Sequence, residues 1–409
     1  MTANPTRSAA FDLLAAVLDR RRALDEALDA LPPLDPRDRA AAHRLAAAAL
    51  RRLGTLDAVL ETLLSREPPA PVRHILRLGA ADLLLLGTPA HAAVATLVDL
   101  ARARGLPKFA GLVNAVLRKV AAGGAALLEG LDGPRLDTPS WLYGSWGRDA
   151  RAIAEAHQHE APLDLTLAPG AVPPPGGDVL PTGSLRFPPG TRVTDLPGYA
   201  EGAFWVQDAA AALPALLLAP RAGERIADLC AAPGGKTAQL AAAGASVTAV
   251  ERDATRIARL RENLARLRLA AEIVAADATT WRPDAPFDAV LLDAPCSATG
   301  TIRRHPDIPH HKRPREIAAL TTTQDALLAA ALQLVRPGGR VIYAVCSLQP
   351  EEGAARIAAL GLPHDPFRSD ELPGLPEAIT PEGFLRTHPA MWPDRGGMDG
   401  FFAARLVRR

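Results

Sequence analysis

Apolar residues recur with a helical period through roughly the first 130 positions of the chain. Ala10, Leu13, Leu14, Val17 and Leu18 follow the i, i+3, i+4, i+7, i+8 spacing of an amphipathic helix. Similar segments follow at 37–52, 56–64, 72–86, 90–104 and 109–120, separated by turns that contain proline or glycine. Short connections between such helices predict a compact all-α bundle over residues 1–130.

The pattern changes twice after the bundle. Residues 131–200 are crowded with proline and glycine and show little periodicity, which predicts a linker and a loop-rich subdomain with one strand at 161–167. From residue 201 to 409, strand-like runs alternate with helical ones, which is typical of a mostly parallel α/β sheet. We expect strands at 226–230, 247–251, 272–277, 287–293, 340–346 and 401–406, and helices at 209–218, 237–243, 254–267, 320–335 and 351–360.

Length and composition narrow the class of protein. A chain of 409 residues is too long for one core, so two or three domains are expected. The formal net charge of +1 means that nucleic-acid binding would need local basic patches. Asp12 and Asp19 interrupt the first apolar run and no stretch approaches the length of a membrane span, so we expect a soluble, cytoplasmic protein without a membrane partner.

The three cysteines of the chain each lie at the end of an apolar, strand-like run. They are Cys230, Cys296 and Cys346, and the absence of paired spacing indicates free thiols in a reducing compartment. A single free cysteine is most often a small buried hydrophobe. Because the carboxyl ends of strands line the ligand crevice of an open α/β sheet, three thiols at strand ends instead predict an active site.

The turn after the first strand indicates a cofactor site. It reads Cys230-Ala231-Ala232-Pro233-Gly234-Gly235-Lys236-Thr237, with two glycines where a backbone can approach a ligand at a helix N-terminus. The Gly-x-Gly-x-x-Gly pattern of dinucleotide sites is absent. Glu251 and Asp277 end the next two predicted strands, where the first can accept hydrogen bonds from ribose hydroxyls and the second from an adenine amine. One ribose and one adenine without a pyrophosphate site indicate S-adenosylmethionine, although each acid alone is as well explained by strand-end solvation.

Several motifs resemble those of a known family. Residues 230–237, 292–300 (Leu-Asp-Ala-Pro-Cys-Ser-Ala-Thr-Gly) and 343–348 (Tyr-Ala-Val-Cys-Ser-Leu) resemble the motifs of the RNA cytosine-C5 methyltransferases. Residues 76–80 and 111–118 are similar to the antitermination factor NusB. The pairing of the two regions resembles the bacterial RsmB/Sun family over nearly the whole chain. The segment 163–200 departs from the family, which usually carries a longer RNA-binding subdomain there.

This resemblance implies a fold and a chemistry. It implies a NusB-like helical bundle followed by a Rossmann-like class I methyltransferase domain with a seven-stranded, mostly parallel sheet. It also implies S-adenosylmethionine-dependent methylation of carbon 5 of a cytosine in small-subunit ribosomal RNA. The family gives Cys346 the role of nucleophile at carbon 6 and Cys296 a role in release of the product, an order that the sequence alone leaves open. The residues expected to bind the cofactor are Cys230, Ala231, Ala232, Pro233, Gly234, Gly235, Lys236, Glu251, Asp277 and Asp293.

Two of these residues have a second expected task. Asp293 is placed to hydrogen-bond the edge of the cytosine ring or nearby cofactor atoms. Lys236 would help keep a thiolate ionised. Its position in a first helical turn is unfavourable for a cation, which favours a role over a merely solvated lysine.

Residues 303–316 contain five Arg or Lys and three histidines, so we expect this loop to contact RNA phosphates beside the base pocket. His305, His310 and His311 lack a cysteine or acid at metal-ligand spacing, so no metal is expected. The target base should be unstacked or borne in a loop. We expect an RNA partner and a monomeric protein.

Three alternatives stay open at this point. The substrate could be a transfer RNA or another RNA. The protein could be a different Rossmann-like methyltransferase whose thiols are structural, in which case no covalent RNA adduct would form. It could also be a non-catalytic NusB-like RNA-binding protein, which cofactor binding by the α/β region would argue against.

Overall fold

The computed structural model describes residues 4–409, which divide into two compact units. The first unit comprises residues 4–159 together with 302–313, and the second comprises residues 160–301 together with 314–409. The first unit is helical, and the second is built on β-sheets.

The helical unit confirms the predicted all-α bundle. Its first seven helices are α1 (Pro5–Leu18), α2 (Leu24–Asp29), α3 (Pro36–Arg51), α4 (Leu53–Leu63), α5 (Ala70–Leu84), α6 (Ala90–Ala103) and α7 (Ala110–Gly123). Helix α3 begins where the side chain of Asp35 accepts the Arg37 N–H at 2.8 Å, followed by a proline at the first helical position. The periodic leucines of α1 belong to one buried core with those of α3 and α5, among them Leu13, Leu45 and Leu76.

Residues 133–157 differ from the linker that the sequence predicts. They form α8 (Gly133–Asp137), α9 (Ser140–Ser145) and α10 (Ala150–His157), all within the helical unit. Asp137 joins them to α4, since its carboxylate accepts the Thr55 N–H at 2.7 Å and the Arg52 Nε–H at 2.9 Å. Helices of five to eight residues are too short to show a periodic apolar pattern, which is why the sequence does not reveal them.

The segment 302–313, which contains α14 (Ile308–His311), packs within the helical unit. Asp307 accepts the Leu24 N–H at 2.9 Å, and the His310 ring lies 2.9 Å from the Leu50 carbonyl. Arg303 is only 2% exposed, and its carbonyl accepts from Arg51. Arg303 and His310 therefore make contacts within the helical unit, and contact of this loop with RNA phosphates stays a prediction.

The second unit begins with a small antiparallel sheet in the order β2-β3-β1-β4. Its strands are β1 (Leu163–Leu167), β2 (Asp178–Val179), β3 (Leu185–Phe187) and β4 (Phe204–Val206). Leu165 of β1 pairs with Leu185 on one side and Val206 on the other. The predicted strand at 161–167 is β1, and the buried Asp164–Arg186 ion pair at 2.6 Å joins it to β3.

The main sheet confirms the predicted seven-stranded, mostly parallel architecture, with the order β10-β11-β9-β8-β5-β6-β7. Its strands are β5 (Arg225–Leu229), β6 (Ser246–Glu251), β7 (Glu272–Ala275), β8 (Phe287–Asp293), β9 (Val335–Val345), β10 (Leu385–Arg386) and β11 (Phe402–Val407). Strands β5 to β9 pair in parallel, and β10 and β11 are antiparallel. The accompanying helices are α11 (Ala209–Leu218), α12 (Gly235–Ala242), α13 (Ala254–Leu267), α15 (Pro314–Leu334) and α16 (Ala354–Leu360).

Both faces of this sheet are buried. Alternate residues of each central strand enter different apolar clusters, with Leu291 in one and Val290 and Leu292 in the other. Burial on both faces explains why β8 reads as a continuous apolar run rather than as an alternating one. Because the central strands are parallel, their carboxyl ends share one edge of the sheet, and the candidate site lies there.

By length and apolar composition alone, two helical stretches would be able to cross a membrane, Pro107–Leu128 and Pro314–Leu334. This differs from the expectation drawn from the sequence. A helix in the core of a folded domain can have the same length and apolar composition as a membrane span. Val113 and Leu328 of these stretches lie in apolar cores.

Candidate active site

A cavity of about 500 Å³ opens at the carboxyl ends of the parallel strands. Of the residues singled out in the sequence, its lining includes Cys230, Glu251, Asp277, Asp293, Cys296 and Cys346. They come together because each ends or follows a strand of the parallel set, with Asp293 and Cys296 both at the end of β8. The volume lies within the range of small-molecule sites.

Residues 231–235 form the turn from β5 into α12 and lie outside the cavity lining. Gly234 adopts φ 103°, and a Cβ there would lie 2.5 Å from Leu260 Cδ1. A side chain at this position would be both strained and crowded. The carbonyl of Pro233 accepts from Asn263 at 2.9 Å, and that of Ala232 accepts from Arg256, so α13 holds the turn in place.

The carboxylates at the ends of β6 and β7 fit a nucleoside. Glu251 is 4% exposed, and its Oε1 accepts the N–H groups of Arg252 at 2.9 Å and Asp253 at 3.1 Å. Its buried Oε2 has no hydrogen-bond donor among residues 4–409, although Arg256 Nη1 approaches to 3.2 Å without hydrogen-bond geometry. A buried acceptor of this kind is left for a donor from a ligand, such as a ribose hydroxyl.

Asp277 supplies the second carboxylate of this part of the cavity. Its Oδ1 accepts the Thr279 side-chain hydroxyl at 2.6 Å and the Thr279 N–H at 2.9 Å. These two hydrogen bonds lower the pKa of Asp277, so the group is an anionic acceptor at neutral pH.

Lys236 and Asp293 form an ion pair beside the thiols. Lys236 Nζ lies 2.8 Å from Asp293 Oδ2 and 5.1 Å from the centre of the Phe401 ring. Burial alone would lower the pKa of Lys236, but the charge and hydrogen bond of Asp293, with the charges of Cys346 and Asp228, raise it. Lys236 is therefore a cation close enough to interact with a thiolate at Cys346.

The two candidate catalytic thiols are in contact, with 3.4 Å between Cys296 Sγ and Cys346 Sγ. The hydrogen bond to Cys346, then burial, then the charges of Cys346 and Glu352 raise the pKa of Cys296 well above its ordinary value. Burial, with the charges of Glu251, Asp293 and Asp228, raises the pKa of Cys230 to about 12. Cys296 and Cys230 are therefore protonated thiols at neutral pH.

Sequence reasoning missed a buried carboxylate, Glu352, that joins the two cysteine loops. Its Oε1 accepts the Ser297 N–H at 2.8 Å and Gln324 Nε2 at 3.1 Å. Its Oε2 accepts the Ser347 hydroxyl at 2.5 Å and also the Ser297 hydroxyl. The sequence does show a serine directly after each of the two cysteines, which is a sign of a shared hydrogen-bond partner. It does not show which residue of the Glu351-Glu352 pair is buried, because that depends on tertiary packing.

Asp228 on β5 is a second acid that the sequence did not single out. It is fully buried and accepts the Thr237 hydroxyl at 2.6 Å, while its Oδ1 has no hydrogen-bond partner within residues 4–409. Burial raises the pKa of Asp228 to about 7; the Thr237 hydrogen bond opposes the shift and the charge of Asp293 adds to it.

The histidines of the 302–313 segment make ordinary polar contacts within the helical unit. His311 lies 3.1 Å from Asp307, and His305 lies 3.4 Å from Asp25. Over residues 4–409, no group of three or more His, Cys, Asp or Glu residues is arranged to hold a metal ion.

Comparison with known proteins adds two family matches. Residues 215–407 match the model of the family described as 16S rRNA methyltransferase RsmB/F, and residues 4–122 match the NusB family. The chain is 37% identical to the ribosomal RNA small subunit methyltransferase B of Sodalis glossinidius (strain morsitans), covering 97% of this chain and 96% of that protein. It is 39% identical to the protein of the same name from Xanthomonas campestris pv. campestris, covering 87% of each.

A crystal structure of the protein PH0851 shares the fold. The TM-score is 0.71 at 22% sequence identity, and the match covers 99% of each chain. At this identity the likeness concerns the fold alone, which includes both the helical and the sheet-containing regions.

Proposed function

This chain belongs to the RsmB/F family of 16S rRNA methyltransferases, and we propose that it methylates carbon 5 of a cytosine in 16S ribosomal RNA in the cytoplasm. S-adenosylmethionine is its cofactor, and when bound it supplies a methyl group from its sulfonium. The observation that carries the proposal is the pair of thiols, 3.4 Å apart, in the same cavity as two carboxylates that fit a nucleoside.

Two thiols in contact suit the chemistry of cytosine. Carbon 5 is a poor nucleophile until a group adds at carbon 6. Addition of a thiolate there forms a carbon–sulfur bond and moves the electrons of the 5,6 double bond toward carbon 5, which can then accept the methyl group. Covalent catalysis of this kind divides one difficult step into easier ones.

We assign the attacking thiolate to Cys346. Cys296, the other thiol of the pair, is held in its protonated form and is thus a hydrogen-bond donor. The ammonium group of Lys236 is close enough to Cys346 for their charges to interact. Cys346 is therefore the cysteine that lies next to both a cation and a second thiol.

Cys296 is proposed to assist release of the product. After methylation, a water molecule takes the proton from carbon 5, the electron pair of that bond reforms the 5,6 double bond, and the bond from carbon 6 to Cys346 breaks with its electrons going to sulfur. The Cys296 thiol, 3.4 Å away, can donate a hydrogen bond to the departing sulfur and stabilise its negative charge.

Asp293 is proposed to orient the base, with its carboxylate held by the ion pair to Lys236. The side chain of Asp293 is 31% exposed and lines the cavity, so its free oxygen can accept from the cytosine amine. The target cytosine must leave any base stack to reach this cavity, because stacking covers carbon 5 and carbon 6.

The proposed function is tested by mapping 5-methylcytosine in 16S ribosomal RNA from cells with the gene, without it, and with Cys346→Ala. We expect a 5-methylcytosine that depends on the gene and is lost in the variant. The same variant should bind S-adenosylmethionine as the wild type does, because Glu251 and Asp277 lie at other strand ends.

Two outcomes would contradict the proposal. Retention of more than trace methylation by Cys346→Ala would remove Cys346 as nucleophile. A cytosine that is methylated equally with and without the gene would remove the substrate assignment.

A further inference from the structure

Glu352 connects the two loops that carry the thiols. The Cys296 loop is residues 294–301 and the Cys346 loop is residues 346–350. The carboxylate accepts from Ser297 in the first loop, from Ser347 in the second, and from Gln324 on α15. Gln324 Nε2 also lies 3.0 Å from the Pro295 carbonyl, so the helix supports the first loop directly. One fully buried carboxylate thus accepts four hydrogen bonds and fixes both loops.

The negative charge of Glu352 has no cationic partner. Within residues 4–409 no Lys, Arg or His side chain forms an ion pair with Glu352, and Arg356, four residues later, instead pairs with Asp325 at 2.7 Å. A buried carboxylate balanced only by neutral donors is costly, and a neutral side chain would serve packing alone. The pKa of Cys296 is raised first by its hydrogen bond to Cys346, then by burial and by the charge of Cys346, and the charge of Glu352 adds to these.

We propose that Glu352 is the positioning residue for the two thiols: it binds the serine that follows each cysteine, so that Cys296 is held against Cys346 and only Cys346 serves as the nucleophile. This inference rests on the proposed cytosine-C5 methylation. Glu352 acts through geometry, because both serines next to the cysteines bind its carboxylate. It also acts through charge, because a nearby anion disfavours a thiolate at Cys296.

Glu352→Gln tests the charge, and Glu351→Gln is the matched control, since Glu351 is an exposed neighbour that loses the same charge. We expect Glu352→Gln to lower kcat for methylation by about 10- to 100-fold, the range for hydrogen bonds to a charged group. The KM for S-adenosylmethionine should be unchanged. The alkaline limb of the pH–rate profile should move to lower pH, because Cys296 would ionise more readily.

Glu352→Asp separates geometry from charge. The shorter side chain keeps the negative charge but cannot reach all four donors, so kcat should fall while the alkaline limb stays where it is in the wild type. A residue with a merely structural role would lower the amount of folded enzyme without moving the pH profile of the molecules that remain folded.

The outcomes distinguish this inference from the proposed function. If the wild type methylates cytosine and Glu352→Gln matches Glu351→Gln in both kcat and pH profile, Glu352 has no positioning role while the methyltransferase assignment stands. If the wild type forms no 5-methylcytosine, the proposed function itself fails. Should circular dichroism show Glu352→Gln to be unfolded, Ser297→Ala and Ser347→Ala decide the question, since a normal profile in both would overturn the inference.

Discussion

At the scale of single residues, the three cysteines of the site differ in their surroundings. Cys230 is kept protonated by burial and by three nearby acids, and Cys296 by its contact with Cys346. Only Cys346 lies beside both a thiol donor and the charge of Lys236. The environment, rather than the residue type, therefore gives each cysteine its proposed task.

Removing Cys296 should trap the enzyme on its RNA. In Cys296→Ala, attack by Cys346 and methyl transfer would proceed, but the departing sulfur would lose its hydrogen-bond donor at 3.4 Å. We expect a covalent protein–RNA adduct that appears as a slow band on denaturing gels and disappears on ribonuclease treatment.

The double variant is the control for this adduct. Cys296→Ala with Cys346→Ala should give no slow band, because the attacking sulfur is absent. Full turnover by Cys296→Ala without any adduct would show that Cys296 only packs at its strand end, and the two-thiol mechanism would be wrong.

The sequence located the strand-end residues of the site but not the residues that support them. Glu251 and Asp293 end apolar runs, and parallel pairing brings such positions to one edge whatever the details of packing. Glu352 gave no comparable signal, because its neighbour Glu351 has the same chemistry and only the folded chain buries one of the two. Asp228, inside a strand, looked like any polar residue of an apolar run.

At the scale of elements, the Cys296 loop contacts the Cys346 loop and the loop that contains Gly400 at one residue, Gly300. Its N–H donates to the Cys346 carbonyl at 3.0 Å, and its carbonyl accepts the Gly400 N–H at 2.8 Å. A Cβ on Gly300 would lie 1.9 Å from the Gly400 oxygen and 2.9 Å from the Cys346 oxygen. Both atoms belong to backbone, so no side-chain rotation could relieve the contact. Position 300 therefore requires a glycine, because the backbones of the Cys296 and Cys346 loops are in contact there.

Gly300→Ala should therefore destabilise the second unit and misplace the thiols. We expect a loss of at least about 1–3 kcal/mol in free energy of unfolding, the range for overpacking, together with a large fall in methylation. Urea unfolding and a methyl-transfer assay measure the two effects. Gly111→Ala is the control, because Gly111 lies in α7 with nothing within 4 Å of its added Cβ. Equal stability of the two variants would show that the loops can move apart at no cost.

The elements most clearly predicted from the sequence were those with long patterns. The helix over Ala254–Leu267 has the bounds that its period indicated, and the strands β5, β6 and β8 lie within one residue of their predicted ends. Helices α8 to α10 and strands β2 to β4 of the small antiparallel sheet were missed, since they have two to eight residues and offer no period to detect, whereas β1 of that sheet was predicted.

At the scale of the whole molecule, the two units are not two continuous halves of the sequence. Residues 302–313 follow the Cys296 loop along the chain but pack within the helical unit. Asp307 accepts the Leu24 N–H from a residue 283 positions earlier. No local pattern in a sequence indicates a contact between residues so far apart. The prediction that this segment contacts RNA therefore depended on its charge alone.

This arrangement makes the stability of the helical unit depend on a residue far along the chain. Asp307→Ala would leave the buried N–H of Leu24 without its acceptor, which costs about 1–3 kcal/mol. We expect a lower melting temperature and faster amide hydrogen exchange in α2, which starts at Leu24.

The effect should also depend on pH in a defined direction. Burial would raise the pKa of Asp307, but the hydrogen bonds from His311 and Leu24 outweigh it and lower the pKa below its ordinary value of 3.8. A lowered pKa in the folded state stabilises the protein above the unfolded value, and that stability is lost as pH falls through the folded value. The difference in free energy of unfolding between wild type and Asp307→Ala should thus be largest at neutral pH and should shrink in acid.

Asp284→Ala is the control for this prediction. It removes an exposed carboxylate from the second unit and should change neither the melting temperature nor amide hydrogen exchange in α2. If Asp307→Ala behaves like Asp284→Ala, the 302–313 segment does not support the helical unit, and the contact between Asp307 and Leu24 contributes nothing to its stability.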